Sequence, residues 1–169
     1  MADVFNEQIV KRLKTPADSL KQAGLVTAVV VLGIITLASP LQQVVFIVLG
    51  LGGFGAYFLS GFLNVEYEYV ITNGELDIDI IYNKARRKRL FSAQVRNIEI
   101  FAHVENMNFA GNFSGAQDVR NYGSGGKNQA NTYAFLINVK NRQTKVIMEP
   151  NEKMLKAIGS GMARSKFHA

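Results

Sequence analysis

The chain has 169 residues, of which 48% are hydrophobic and 19% charged, so it can form one domain of ordinary size or a smaller domain with additional segments. It contains no cysteine and two histidines, which excludes disulfides, thiolate metal sites and a cysteine nucleophile and disfavours a histidine-rich metal centre. The net charge of +6 favours anionic partners such as lipid headgroups or nucleic acid.

The first segment, residues 1–22, is interpreted as an amphipathic or juxtamembrane segment. Phe5, Ile9 and Leu13 recur every four residues, which predicts a short helix able to lie on the inner leaflet of a membrane. A frayed tail is the alternative. The letters TPAD at Thr15–Asp18 then have the pattern of a helix start, with an N-cap residue, a proline in the first turn and an acid three residues after the cap.

Residues 23–63 predict a transmembrane helical hairpin with spans at about 23–39 and 43–63. An uncharged run of nineteen residues is followed, after two glutamines, by an uncharged run of twenty. Twenty helical residues cover about 30 Å, the thickness of a bilayer core. The alternatives are two buried helices of a soluble protein, which the remaining chain is too short to surround, and a cleaved signal peptide, which the long, partly acidic leading segment disfavours.

The distribution of charge predicts the orientation of this hairpin. Four basic residues precede the first span, the connection is uncharged, and fifteen Lys and Arg follow the second span. By the positive-inside rule, the chain is expected to be a multi-pass protein of the cell membrane with both termini in the cytoplasm.

Small residues in the second span indicate close helix packing. Gly50, Gly52 and Gly55 have the spacing of the dinucleotide-binding motif G-x-G-x-x-G. That motif requires a preceding strand and a βαβ unit, which a membrane helix does not provide. Gly52, Ala56 and Ser60 are spaced by four residues and form a candidate helix-packing ridge. We expect this ridge to pack against the first span, with a second copy of the chain as the alternative.

The remainder, residues 64–169, predicts a cytoplasmic β domain with a helix at about 150–164 and a flexible loop at about 105–131. In one strand, Leu76, Ile78 and Ile80 are predicted to face a core, and Glu75, Asp77 and Asp79 to face water. Asn73-Gly74 and the region around Asn141-Arg142 are predicted hairpin turns. The candidate strands are 66–72, 75–82, 85–91, 95–104, 133–139 and 144–148.

This part of the sequence resembles a known family. The run EYEYVITNGELDIDIIYNKARRKRLFSAQVRNIEIF resembles the bacterial membrane-anchored PH-like domain, and KVIMEPNEKMLKAI resembles its last strand and C-terminal helix. With the preceding hairpin, the whole chain resembles a family of small bacterial two-span membrane proteins of unknown function. The resemblance implies an α+β membrane protein whose curved β sheet or barrel carries a C-terminal helix, and it brings no catalytic residues.

A dense basic cluster is the candidate site for contact with anionic lipid, at about 1 kcal/mol for each basic residue close to the surface. The alternative is a solvated strand whose charges prevent edge pairing. Nucleic-acid binding is disfavoured because no aromatic stacking motif accompanies the cluster. The cluster consists of Lys84, Arg86, Arg87, Lys88 and Arg89.

No residue pattern indicates a catalytic, cofactor-binding or metal-ligating site, and no cofactor is expected. The sequence therefore favours a membrane-anchored, non-enzymatic PH-like protein that binds or organises a partner. Its expected partners are the lipid bilayer, anionic headgroups and another protein or a second copy. The alternatives are an accessory subunit of a larger membrane complex and a membrane-surface enzyme with a pocket near His103.

Overall fold

The computed structural model describes residues 5–126 and 130–168, which form an α+β fold with two β sheets. The elements in chain order are β1 (Phe5–Lys11), α1 (Pro16–Leu37), α2 (Val45–Gly61), β2 (Val65–Thr72), β3 (Glu75–Tyr82), β4 (Arg86–Gln94), β5 (Ile100–His103), α3 (Met107–Ser114), β6 (Asp118–Asn121), β7 (Tyr133–Val139), β8 (Arg142–Met148), α4 (Glu152–Gly161) and β9 (Phe167–His168).

The two long apolar helices begin and end where local chemistry requires. The Thr15 side chain accepts a hydrogen bond from the Asp18 backbone N–H, and the Asp18 carboxylate accepts one from the Thr15 N–H, so the capping box is complete. Pro16 occupies the first turn, where its missing N–H costs no hydrogen bond. The helix α1 ends at Leu37, just before Pro40, and a short 3₁₀ turn leads into α2.

The amphipathic helix predicted within residues 1–22 is wrong, because Phe5–Lys11 is a strand. It pairs antiparallel with β2 from Phe5↔Thr72 to Lys11↔Glu66 and completes the first sheet, whose order is β1-β2-β3-β4. In this strand Val10 is buried, whereas Phe5 and Ile9 are exposed. The β domain therefore begins before the apolar hairpin, instead of at residue 64, and the hairpin is inserted between its first two strands.

Tight turns with positive φ angles join the sequential strands. Asn73 and Gly74 have φ angles of 50° and 83°, the combination that a two-residue hairpin requires. At the β7–β8 turn the corresponding residues are Lys140 and Asn141, with φ angles of 49° and 64°. This turn lies one residue earlier than predicted, because Val139 pairs directly with Arg142.

The flexible loop predicted at 105–131 is wrong over most of its length. The second sheet has the order β6-β8-β7-β5-β9, and its strand β6 lies inside the predicted loop, parallel to β8. The helix α3 also lies there and places Phe113 in a small apolar cluster with Ile100 and Leu136. The Asn106 side chain caps this helix. Residues 127–129 lie outside the described residues.

One hydrophobic core joins both sheets and α4. Its fully buried members include Tyr69 from β2, Phe101 from β5, Phe135 from β7 and Ile158 from α4. The amphipathic helix α4 buries Met154, Ala157 and Ile158 in this core. Burial of such side chains contributes about 1.5–3 kcal/mol each, so this core supplies most of the stabilisation of the β domain.

The chain forms two compact units. One contains Glu66–Ile81 and the described parts of Met1–Leu13 and Arg87–Ala169, which is the β domain. The other contains Lys14–Val65 and Tyr82–Arg86, so the β3–β4 turn belongs to the unit of the helical hairpin.

Candidate functional site

The helical hairpin carries most of the exposed large hydrophobic side chains among the described residues. Pro16–Leu37 and Gln42–Gly61 each have a mean hydropathy of 1.9 and are long and apolar enough to cross a membrane. Only 6% and 17% of their most apolar windows are buried, in contrast to core helices of soluble proteins. Phe46 is 83% exposed and Leu51 is 70% exposed.

The predicted helix-packing ridge divides between two environments. A methyl group added at Gly52 would lie 3.2 Å from Val29 Cγ1, so this glycine allows α2 to approach α1 closely. A second close approach, not noticed in the sequence, occurs where Gly33 of α1 meets Leu49. Ala56 and Ser60, the other two residues of the ridge, line an open groove between the helices.

The basic strand β4 carries two of its arginines in ion pairs with acids of neighbouring strands. Arg87 Nη2 lies 2.7 Å from Glu68 Oε1, and Arg89 binds both Asp77 (2.8 Å) and Asp79 (2.5 Å). The hydrogen bond that Arg89 donates to the Asp79 carboxylate raises the pKa of Arg89 above its ordinary value. Asp79 is buried, so the prediction that it faces water is wrong.

The alternation of side chains in β4 changes after Arg89, and this separates the basic residues from the core residues. Arg89 binds Asp77, and Ser92 donates a hydrogen bond to Glu75, so both contact the same face of β3. In a regular strand, two residues three positions apart would point to opposite faces. Such a shift is typical of a β-bulge, and it places Phe91 in the core. Lys84, Arg86 and Lys88 are exposed. The five basic residues therefore do not share one environment.

Glu68 is the most deeply buried carboxyl group among the described residues. Its side chain is inaccessible to solvent, and burial raises the pKa of Glu68, as does the neighbouring carboxyl of Glu7. Arg87 acts in the opposite direction and lowers this pKa. The Oε2 atom of Glu68 has no hydrogen-bond donor among the described residues. A proton on Glu68 Oε2 would allow the Glu68 carboxyl to donate a hydrogen bond to the Glu7 carboxyl.

A second polar cluster connects β1 to the start of α4. The Gln8 side chain donates to Glu149 O (2.7 Å) and accepts from Asn151 N (2.7 Å). The Tyr69 hydroxyl donates to Tyr122 O (2.6 Å) and accepts from Glu149 N (3.3 Å). Burial raises the pKa of Tyr69 well above its ordinary value, so the hydroxyl remains a donor.

A polar cavity of about 310 Å³ lies beside β8. Its lining includes Asn121, Thr132, Lys145 and Glu149. The Glu149 carboxylate already accepts two hydrogen bonds from Ser124, from N (2.9 Å) and from Oγ (2.8 Å). The Lys145 ammonium lies 5.1 Å from the Phe113 ring centroid, in a cation–π contact.

Neither histidine contributes to a recognisable reactive centre in the part of the chain that the structure describes. His103 Nε2 lies 3.1 Å from Ala130 O, and its ring packs edge-on against Tyr133. His168 stacks on Phe109. Within residues 5–126 and 130–168, no three acidic, His or Cys side chains are placed to hold a metal ion.

The comparison with protein families agrees with this architecture. A family model described as "Bacterial PH-like domain (DUF6106)" matches residues 2–168. The chain belongs to this family. The resemblance drawn from the strand and turn pattern of the sequence is thereby confirmed. No curated protein and no solved structure matches the chain.

In the PH-like domain, sequence reasoning missed the residues that act across long separations. Gln8 and Glu149 are 141 residues apart, and Arg87 reaches Glu68 on a strand that is not its sequence neighbour. No pattern within a short stretch of sequence predicts such pairs. The excess of acids on β2 and β3 opposite a basic β4 is the one signal that could have indicated the Arg87 and Arg89 ion pairs.

Proposed function

We propose that this chain is a membrane-anchored, non-enzymatic PH-like protein that binds or organises a partner at the cytoplasmic face of the cell membrane. The observation that carries the proposal is the insertion of an exposed, apolar helical hairpin between two strands that pair with each other. Because β1 precedes the hairpin and β2 follows it, both ends of a membrane-spanning hairpin would emerge on the same side.

The charge distribution supports a cytoplasmic β domain. Lys11, Arg12, Lys14 and Lys21 precede the apolar part of the first helix, and the connection between the helices carries no charge. Segments that carry an excess of Lys and Arg next to a membrane span remain in the cytoplasm. Three exposed basic residues on and beside β4 make no ion pair within residues 5–126 and 130–168. These residues, Lys84, Arg86 and Lys88, would then lie within reach of anionic headgroups.

The packing of the hairpin favours a binding role for the β domain over an accessory-subunit role for the ridge. Gly52 already packs against Val29 of α1, so a helix of another protein could not contact all three residues of the ridge.

Membrane fractionation tests the anchoring. The full chain is expected in the membrane pellet after high-salt and alkaline carbonate washes, because an apolar hairpin of two spans is held by the bilayer core and not by charge. Mild detergent should release it. A chain found in the carbonate supernatant would contradict the proposal, since a peripheral protein attached through its basic residues is released by these washes.

A further inference from the structure

Two adjoining cavities lie on the helical hairpin and the turn packed against it. The first is an apolar groove of about 310 Å³ between the helices, whose lining includes Val26, Val30 and Gly53. The second is a more polar pocket of about 190 Å³, whose lining includes Lys14 and Asn83. The two share three lining residues, Gln22, Tyr57 and Ser60.

The arrangement of these cavities follows the helices. From Gln22 to Val30 the groove follows α1 for about 12 Å at 1.5 Å per residue. The polar pocket lies at the end of the hairpin where α1 begins and α2 ends. The more polar pocket therefore adjoins one end of the apolar groove, the arrangement that a ligand with a polar head and a hydrocarbon tail requires.

The polar pocket has donors suited to a phosphate. Within the described part of the chain, Lys14 Nζ makes one hydrogen bond, to Gln22 Oε1 at 3.3 Å, whereas an ammonium carries three donors. The Asn83 side-chain amide lies at the edge of the same pocket, because Asn83 N donates to Asn64 O (2.9 Å) and fixes the β3–β4 turn beside the end of α2. Tyr57, 80% exposed, lies between pocket and groove, as aromatic residues do at membrane interfaces.

The net positive charge of the hairpin unit favours a ligand with a negatively charged head group. Residues 14–65 and 82–86 contain four basic side chains and a single acid, Asp18. The Asp18 carboxylate accepts hydrogen bonds from the backbone N–H and the hydroxyl of Thr15, so it serves the helix cap. An anionic head is therefore favoured over a zwitterionic one.

We propose that the hairpin binds one anionic glycerophospholipid, with its phosphate at Lys14 and one acyl chain in the groove beside Gly53. The proposal rests on the membrane anchoring proposed above. It adds a defined lipid site, distinct from general attraction of the basic strand to the membrane surface.

Native mass spectrometry of the full chain in detergent tests the site, with phosphatidylglycerol and phosphatidylcholine of identical acyl chains offered in equal amounts. The wild type is expected to prefer phosphatidylglycerol. Lys14→Gln should lower this preference about fivefold, the effect of removing one basic residue close to a headgroup. Lys21→Gln, which removes a charge outside both cavities, is the matched control and should leave the preference unchanged.

The groove is tested with two matched pairs. A Cβ atom added at Gly53 or at Gly50 would have no other part of the chain within 4 Å, so both helix positions accept a substitution. Only Gly53 lines the groove, so Gly53→Leu should reduce binding of both lipids and Gly50→Leu should not. Val30→Phe and Val31→Phe form a second pair, because both residues are about half exposed and only Val30 lines the groove.

Three outcomes would overturn the inference. Equal loss of preference in Lys14→Gln and Lys21→Gln would indicate unspecific charge attraction. Unchanged lipid binding in both Gly53→Leu and Val30→Phe would show that no acyl chain occupies the groove. A loss of dimer in these variants without a loss of lipid would assign the groove to a helix of a second copy. Failure of the anchoring itself is separately visible, as a chain in the carbonate supernatant.

Discussion

Glu68 combines an unusual set of neighbours for a single side chain. It is buried, it lies 2.7 Å from Arg87, and it faces the carboxyl of Glu7. Burial and the second acid together outweigh the arginine, so the pKa of Glu68 is raised from its ordinary value of 4.5. A raised pKa in the folded state means that the folded protein holds this proton to higher pH than the unfolded chain does.

The pH dependence of stability should therefore differ between wild type and Glu68→Gln. The contribution of protonated Glu68 is fully present below the unfolded pKa and is lost as the pH rises through the folded pKa. Glutamine stays neutral, so the difference in Tm, Glu68→Gln minus wild type, should grow as pH rises from about 4 to about 8, by roughly 2–4 °C for each kcal/mol. Circular dichroism of the detergent-solubilised chain measures it. The exposed Glu105→Gln is the control, and parallel curves for Glu68→Gln and wild type would contradict the prediction.

At the scale of elements, the Gln8 side chain connects β1 to the start of α4. Gln8 makes two hydrogen bonds of 2.7 Å to backbone groups there, and net contributions of about 0.5–1.5 kcal/mol for each bond are typical. Gln8→Ala should cost about 1–3 kcal/mol, and hydrogen exchange of the β1 amides paired with β2 should accelerate. Asn6→Ala, on the same strand face and without a side-chain hydrogen bond in the described region, should change little. Equal exchange in both variants would refute this role.

The elements that sequence reasoning predicted correctly are those that local chemistry specifies. The strand β3 has the predicted bounds, since alternation and Asn73-Gly74 define it within ten residues. The strand β1 was missed because its partner β2 follows only after the hairpin, and the four-residue spacing of Phe5, Ile9 and Leu13 suggested a helix. The strand β6 was missed for a similar reason, because its alternation is weak and only pairing with β8 defines it.

The candidate site divides in the same way. The clustering of basic residues on β4 is visible in the sequence, but their pairing is not. Arg87 and Arg89 are neutralised by acids of β2 and β3, and only a sheet register places them together. The groove and pocket at Lys14 are formed by segments far apart in sequence, at the start of α1, the end of α2 and the β3–β4 turn. Such a site depends on tertiary structure and has no local signature.

For the whole molecule, the natural absence of cysteine makes the topology directly measurable. Lys11→Cys, Gln43→Cys and Glu152→Cys each introduce one thiol at an exposed position. In intact cells, a membrane-impermeant maleimide should label only Gln43→Cys, in the uncharged connection, and the other two only after permeabilisation. Labelling of Lys11→Cys and Glu152→Cys from opposite sides would be incompatible with β1 and α4 in one domain.

The insertion of the hairpin also sets an order of events during synthesis. The strand β1 ends at Lys11 and β2 ends at Thr72, so at about 5–20 residues per second the ribosome completes β1 roughly 3–12 s before β2. In the proposed topology the hairpin enters the bilayer within this interval, before β1 can pair with β2. The sheet can close only after both spans have been made, so folding of the β domain must follow synthesis of the hairpin.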